Sequence, residues 1–236
     1  MGKRIITQRR GRGTPRYRAP SHRYKYSLKY PQTDDILIGR VVRIIKDQAR
    51  NCPLAVLKFS NNEEINIPAP VQVREGSIIH YNDEKSLTPG SILELAKIPE
   101  GMEIFNIENR PKENSSFCRS AGNTARIVLK TDEYILIQLP SKKSRKFNPR
   151  CRATIGVIAG SGFKEKPMLK AGKMFHRMKS KSRLWPKTSG VAMNAVDHPF
   201  GSGRGRHVGK PKTPKKNSPP GRNIGLIRAR RTGRKK

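Results

Sequence analysis

"SIIHYNDEKSLTPGSILELAKI", residues 77–98, sets two Ile-rich runs on either side of a turn-forming cluster, Asn82-Asp83 and Thr88-Pro89-Gly90. Runs of this length, rich in β-branched residues and bounded by Asn, Asp, Pro and Gly, predict strands. The same grammar extends in both directions. ILIGRVVRII (36–45), PLAVLKF (53–59) and EEINI (63–67) precede the stretch; MEIFNIE (102–108), TARIVLK (124–130), EYILIQL (133–139) and ATIGVIAG (153–160) follow it. With 77–81 and 91–98 these make nine short strands and no amphipathic helix between them. That pattern predicts a mostly β chain whose antiparallel sheets close as small barrels. The turn cluster at 82–90 is the expected seam, dividing a first barrel over 34–84 from a second over 85–163.

Charge separates these barrels from what flanks them. The chain has 236 residues, 51 Lys and Arg against 17 Asp and Glu, and a net charge of +34. Residues 1–31 hold ten cations and no acid; residues 32–140 hold 13 cations and 15 acids; residues 141–236 hold 28 cations and two acids, Glu165 and Asp197. A near-neutral middle therefore carries a basic N-terminal extension, 1–33, and a basic C-terminal extension, 164–236. A field of this strength collects polyanions, and nucleic acid is the first-choice partner.

A membrane is not expected, because no apolar run approaches the roughly 18–20 residues of a spanning helix. No signal peptide is expected either, since MGKRIITQRRGRG has only a two-residue apolar pair after its charges. Cys52, Cys118 and Cys151 are widely spaced and odd in number, which argues for a reducing, cytoplasmic setting and against a zinc knuckle.

Beyond Gly162 the strand pattern stops. Met168, Leu169, Lys173 or Met174, and Met178 recur near helical spacing, predicting one short helix between Pro167 and Ser180. From Trp185 onward apolar periodicity disappears, so this segment lacks the surface to fold without a scaffold. An arm of some fifty residues reaches on the order of 150 Å when extended, a length suited to weaving through a large folded RNA.

Three motifs invite chemistry. Asp197 beside His198 resembles part of a hydrolytic site, but neighbours on an extended chain point to opposite sides, and catalysis also needs a nucleophile in reach. Asp197, His198 and His207 could hold a metal, yet Arg204 and Arg206 would repel it. GVIAGSGFKEK (156–166) leads from strand to glycines and lysine but does not satisfy the G-x-x-x-x-G-K-[ST] frame, and GSGRG (201–205) does not satisfy G-x-G-x-x-G. The N-terminal arm interleaves cations with Tyr17, Tyr24, Tyr26 and Tyr30. Phosphate-binding cations beside stackable rings suit unpaired RNA, the plainer alternative being a disordered tail that binds nonspecifically.

Specific words of sequence go further. GKRIITQRRGRGTPRYRAPSHRYKY (2–26), CRATIGVIAGSGFKEKP (151–167), KAGKMFHRMK (170–179), GVAMNAVDHPFGSG (190–203), GKPKTPKK (209–216) and PPGRNIGLIRARRTGRKK (219–236) closely resemble the universal large-subunit ribosomal protein two family, in its archaeal and eukaryotic branch. The resemblance covers nearly the whole chain and is weakest in the first barrel. It implies an oligonucleotide-binding-type barrel followed by an SH3-like barrel, both extensions buried in large-subunit ribosomal RNA, and a role in assembly, subunit association and support of the peptidyl-transferase region. The implied partners are that RNA, neighbouring ribosomal proteins and the small subunit; no catalytic residue, metal or cofactor is implied.

The expected RNA contacts begin in the first extension with Arg9, Arg10, Arg12, Arg16, Tyr17, Arg18, His22, Arg23 and Tyr24. Around the helix they are Lys164, Lys166, Lys170, Lys173, His176 and Lys179, followed by Trp185 and Lys187. The signature loop supplies Gly190, Met193, Asn194, Asp197, His198, Pro199, Gly201 and Gly203, with His198 as an RNA-facing structural residue rather than a catalyst. The tail adds Arg204, Arg206, His207, Lys210, Lys212, Arg222, Arg230 and Arg231. Two departures stand out: HPFGSG (198–203) replaces a form nearer HPHGGG, at Phe200 and Ser202, and ENSSFCRSAG (113–122) lacks glycines the family often has.

Overall fold

The computed structural model describes residues 2–18, 20–209, 211–219, 222–227 and 229. The chain forms two compact units, Ser21–Leu169 and a second that joins Met1–Pro20 to Lys170–Lys236. The architecture is mostly β, with twelve strands among the described residues.

In the first unit β1 (Leu37–Lys46), β2 (Pro53–Phe59), β3 (Glu64–Pro68) and β4 (Ile78–Tyr81) form an antiparallel set in the spatial order β4-β1-β2-β3. Alternation drives the placement. Leu37 and Val41 of β1 turn inward onto Ala55, Leu57, Phe59, Ile65, Ile67 and Ile79. A bulge between Val41 and Arg43 breaks the β1–β2 register.

β5 (Ile92–Glu94) follows the 82–90 turn cluster and pairs in parallel with β4 at Tyr81–Ile92. Because successive side chains on a strand face opposite ways, Ile92 joins the first core while its neighbour Leu93 enters a second. One three-residue strand is thus the shared wall of two hydrophobic cores. β6 (Glu103–Phe105), β9 (Ala125–Lys130), β10 (Ile135–Gln138), β11 (Ser144–Phe147) and β12 (Arg152–Ile155) close around the second core in the order β11-β10-β9-β6-β12-β5. β7 (Ile107–Glu108) and β8 (Ser115–Phe117) form a separate two-stranded sheet.

Three expected strands change form. Residues 102–108 split into β6 and β7 at Asn106, whose φ of 54° interrupts the extended chain. Residues 91–98 stop at Glu94 and continue as a 3-10 turn over Leu95–Lys97. Residues 153–160 end at Ile155, where Gly156 takes φ 110°. β8 and β11 were not expected: SSF and SRKF are too short or too polar to read as strands, and pairing with β7 and β10 holds them.

The segment just before β1 belongs to the barrels. Leu28 and Tyr30 are buried in them. Tyr30 donates its hydroxyl to the Asn106 carbonyl (2.6 Å) and accepts from Thr154 Oγ1 (2.7 Å), and burial pushes its pKa well up. The expectation that Tyr30 offers a ring for base stacking is therefore corrected: its ring lies in the core. Between the cores Arg152, 5% exposed, donates from Nε and Nη2 to Glu108 Oε1 at 2.9 and 2.6 Å, and from Nη1 to the Tyr81 hydroxyl at 2.8 Å.

The second unit is built differently. α2 (Ala171–Ser180) fills the helical stretch expected between Pro167 and Ser180, with Arg177 and Lys179 in its last turn, where the helix dipole favours cations. α1 (Ile6–Gly11) was not expected; its polar, Arg-rich sequence carries no apolar stripe. Among the described residues of this unit none is buried.

Candidate nucleic-acid interface

The loop from Gly190 to Gly203 is held by a set of its own backbone hydrogen bonds. A 3-10 turn over Gly190–Ala192 opens it. The Asn194 carbonyl then accepts from the backbone N–H groups of Asp197 (3.0 Å) and His198 (3.1 Å), and the His198 carbonyl from Gly201 (2.8 Å). Ser202 closes the loop in the left-handed region at φ 59°, donating its N–H to the Met193 carbonyl (3.1 Å) while its Oγ accepts from Ala195 N–H (2.9 Å).

Two glycines permit this geometry. A Cβ at 190 would lie 2.5 Å from His198 Nδ1 and 2.6 Å from Nε2; one at 201 would lie 2.5 Å from the Met193 carbonyl oxygen. Gly203 and Gly205 have no such crowding: a Cβ at 203 would meet nothing within 4 Å, and one at 205 would meet only His207 N at 3.9 Å.

His198 is half-buried over Gly190, and its Nδ1 accepts the Phe200 N–H at 3.1 Å. An imidazole that accepts at Nδ1 is neutral and carries its proton on Nε2. Desolvation agrees with this, since it holds the His198 pKa below the ordinary value. The Phe200 ring sits 5.1 Å from the imidazole, and the Arg222 guanidinium lies 5.9 Å from the Phe200 ring centre.

Asp197 does not orient this ring. Its carboxylate pairs with Lys3 at 3.5 Å, and the Lys3 N–H donates to the Val196 carbonyl at 2.7 Å. The acid beside the imidazole thus ties the N-terminal segment to the loop, and with Nδ1 satisfied by backbone the pair lacks the geometry of an acid–base relay. Among the described residues no group of three or more His, Cys, Asp or Glu is placed to hold a metal ion.

The remaining expected contacts fall into several groups. Arg9 and Arg10 lie on α1 and Arg12 just after it; these three, with Arg16 and Arg18, are exposed, while Tyr17 is half-buried. His22, Arg23 and Tyr24 belong to the barrel unit, where the Arg50 guanidinium covers one face of Tyr24 at 5.5 Å. Lys170, Lys173, His176 and Lys179 are exposed on or beside α2, as are Lys166, Lys187, Asn194, Arg204, Arg206, His207 and Lys212 elsewhere. Trp185, Met193 and Pro199 are half-buried. Lys210, Arg230 and Arg231 lie outside the described residues, as does the side chain of Lys164.

Lys3 and Phe200 were missed as site-forming residues, and Arg222, expected as an RNA contact, was not expected beside the Phe200 ring. Lys3 and Arg222 approach the loop from positions far away in sequence, and no local spacing links them to it. Val196 remains 48% exposed, so the apolar residues of VAMNAV are not all covered by the chain itself.

A cavity of about 570 Å³ in the barrel unit has a mixed lining, Glu63, Glu64 and Glu113 against Lys29 and Lys112, and so carries no net attraction for phosphate. No helix among the described residues is long and apolar enough to cross a membrane.

Relatives match this chain in sequence from end to end. The sequence model of the family described as Ribosomal Proteins L2, C-terminal domain, matches residues 88–218. The large ribosomal subunit protein uL2 of Archaeoglobus fulgidus is 48% identical over 234 residues, 99% of each chain. That of Methanopyrus kandleri is 48% identical over 239 residues, covering 99% of this chain and 98% of the relative. That of Methanococcoides burtonii is 46% identical over 237 residues, the full length of both. The chain therefore belongs to the uL2 family of large ribosomal subunit proteins, in its archaeal form.

Proposed function

We propose that this chain is a structural component of the large ribosomal subunit that binds large-subunit ribosomal RNA and performs no chemistry of its own. The observation that carries the reading is the second unit: its two segments hold 27 Lys and Arg against one acid, Asp197, and none of its described residues is buried. A unit with that charge and no core gains its stability from a polyanion laid against it. The cations meet phosphates and set register, while the open space at Gly203 lets backbone approach RNA closely.

The two cores that share β5 at Ile92 and Leu93 support an oligonucleotide-binding-type barrel followed by an SH3-like barrel, the first drawing Tyr30 and Ile92 from outside the 34–84 expected for it, with basic extensions on either side. The finer role follows the family: assembly, association with the small subunit, contact with neighbouring ribosomal proteins and support of the peptidyl-transferase region, in the cytoplasm and away from membranes.

Sedimentation of a lysate through a high-salt gradient tests this. Stoichiometric migration with the large subunit after the salt wash is expected; release to the top of the gradient, or migration with chromosomal DNA, would overturn it. His198→Ala is expected to impair late assembly or subunit function while the barrels melt as before, because the loop lies outside them. Ribosomes that carry the variant and assemble and translate normally would refute the role of the loop.

A further inference from the structure

The second unit encloses a cavity of about 930 Å³ between its N-terminal and C-terminal segments. Pockets of this size accommodate small organic ligands. Its described lining includes four cations and no carboxylate, with Arg10 and Arg16 contributed by the N-terminal segment. Asp197, the one acid of the unit, is engaged by Lys3 and is not part of the lining. The charge excludes a metal ion and selects an anion.

Aromatic groups then narrow the anion. Tyr17, Trp185 and His198 all line the cavity and none of them is fully buried. With Nδ1 occupied by Phe200, the neutral His198 keeps a donor on Nε2. A phosphate alone needs no aromatic wall, and an apolar ligand needs no guanidinium. A nucleotide needs both, because its base stacks on rings while its phosphate pairs with arginine.

We propose that this cavity takes an unpaired nucleotide of the RNA, its base held by the aromatic wall of Tyr17 and Trp185 and its phosphate by Arg10 and Arg16. This rests on the RNA-binding reading above and adds base capture to what would otherwise be phosphate contact alone. The two arms are then joined through one RNA residue, and the RNA locks a unit none of whose described residues is buried.

Trp185 is the only tryptophan in the chain, so its emission reports on the cavity directly. The full-length protein is titrated with purified large-subunit ribosomal RNA, with binding followed by filter retention and emission recorded in parallel; heparin serves as a polyanion without bases. Quenching that saturates with RNA binding, and that heparin does not reproduce, is expected. Trp185→Ala is expected to weaken RNA binding about 5- to 150-fold with an unchanged salt slope, because a stacked base and no phosphate contact is lost. Trp185→Phe should retain most of the affinity. Lys212→Ala, outside the cavity lining, should instead lower the slope by about 0.7–0.9.

RNA that binds without quenching beyond the heparin level would overturn the nucleotide pocket and leave the RNA-binding reading standing. So would a Trp185→Ala variant that binds like the parent, or heparin binding that depends equally on Trp185. RNA that binds no better than heparin would overturn both.

Discussion

Gly190 and His198 occupy a single shared space: a Cβ at position 190 would lie 2.5 Å from the imidazole Nδ1. Gly190→Ala must therefore push the ring out and break its bond from Phe200 N–H. The obstacle is one side chain, so its removal relieves the clash. The expected result is a non-additive cycle: Gly190→Ala weakens RNA binding, and the Gly190→Ala, His198→Ala double variant is no weaker than His198→Ala alone. Additive losses, measured by filter retention, would show that the glycine serves some other contact.

The same imidazole should respond to pH in a defined direction. Burial disfavours the charged ring, so its native pKa lies below the ordinary value near 6.5. The unfolded loop then binds protons more readily than the native loop, and this contribution to stability rises with pH. It is complete above pH 6.5 and is lost as pH falls through the native value, where protonated Nδ1 can no longer accept from Phe200. The His198 Hε1 resonance, assigned by comparison with His198→Gln, should titrate with a midpoint below 6.5 and return toward 6.5 in urea. A native midpoint at or above 6.5 would contradict the packed, neutral ring.

The mostly β character and most of the strands were legible because strand alternation and turn chemistry are local signals, whereas core membership was not: Tyr30 and Ile92 join the first core from either side of the 34–84 stretch. Strands without their own signal were invisible in the sequence. SRKF (144–147) is a strand because β10 lies beside it, and Asn106 interrupts another by a left-handed φ that composition does not announce. In the candidate site, the 190–203 loop was legible as a word of sequence, whereas its closure was not. Lys3 against Asp197 and Arg222 near Phe200 are long-range pairings, and the contrast between crowded Gly190 and open Gly203 depends on the path of the chain. Tyr30 shows the opposite error, since a tyrosine in a basic arm reads as a stacking ring until its hydroxyl is seen bonding Thr154 in the core.

Arg152 and Glu108 give the barrel unit a test independent of RNA. Glu108 is fully buried and receives two guanidinium bonds and the Arg152 backbone N–H at 2.9 Å. Glu108→Ala leaves the buried guanidinium short of partners, a change that costs about 3–5 kcal/mol. For a unit of this size that corresponds to a fall in Tm of roughly 6–20 °C. Calorimetry should show this loss, while replacing both residues by Met should cost less, because no lone charge remains. Equal losses in the two variants would mean that packing, not uncompensated charge, dominates.

The tail supplies the electrostatic counterpart. Residues 204–236 contain 13 Lys and Arg and no acid, and the described cations Arg204, Arg206 and Lys212 are exposed. Each phosphate neutralised contributes about 0.7–0.9 to the slope of log affinity against log salt. Deleting 204–236 should therefore flatten that slope by several units and reduce incorporation into subunits, while the barrel unit, which lies wholly within Ser21–Leu169, melts unchanged. The effect on affinity should shrink as salt is raised, because the lost interaction is counterion release. An unchanged slope with reduced affinity would assign the tail a shape-specific contact in place of charge neutralisation, and would move the main electrostatic anchor to α1 and α2.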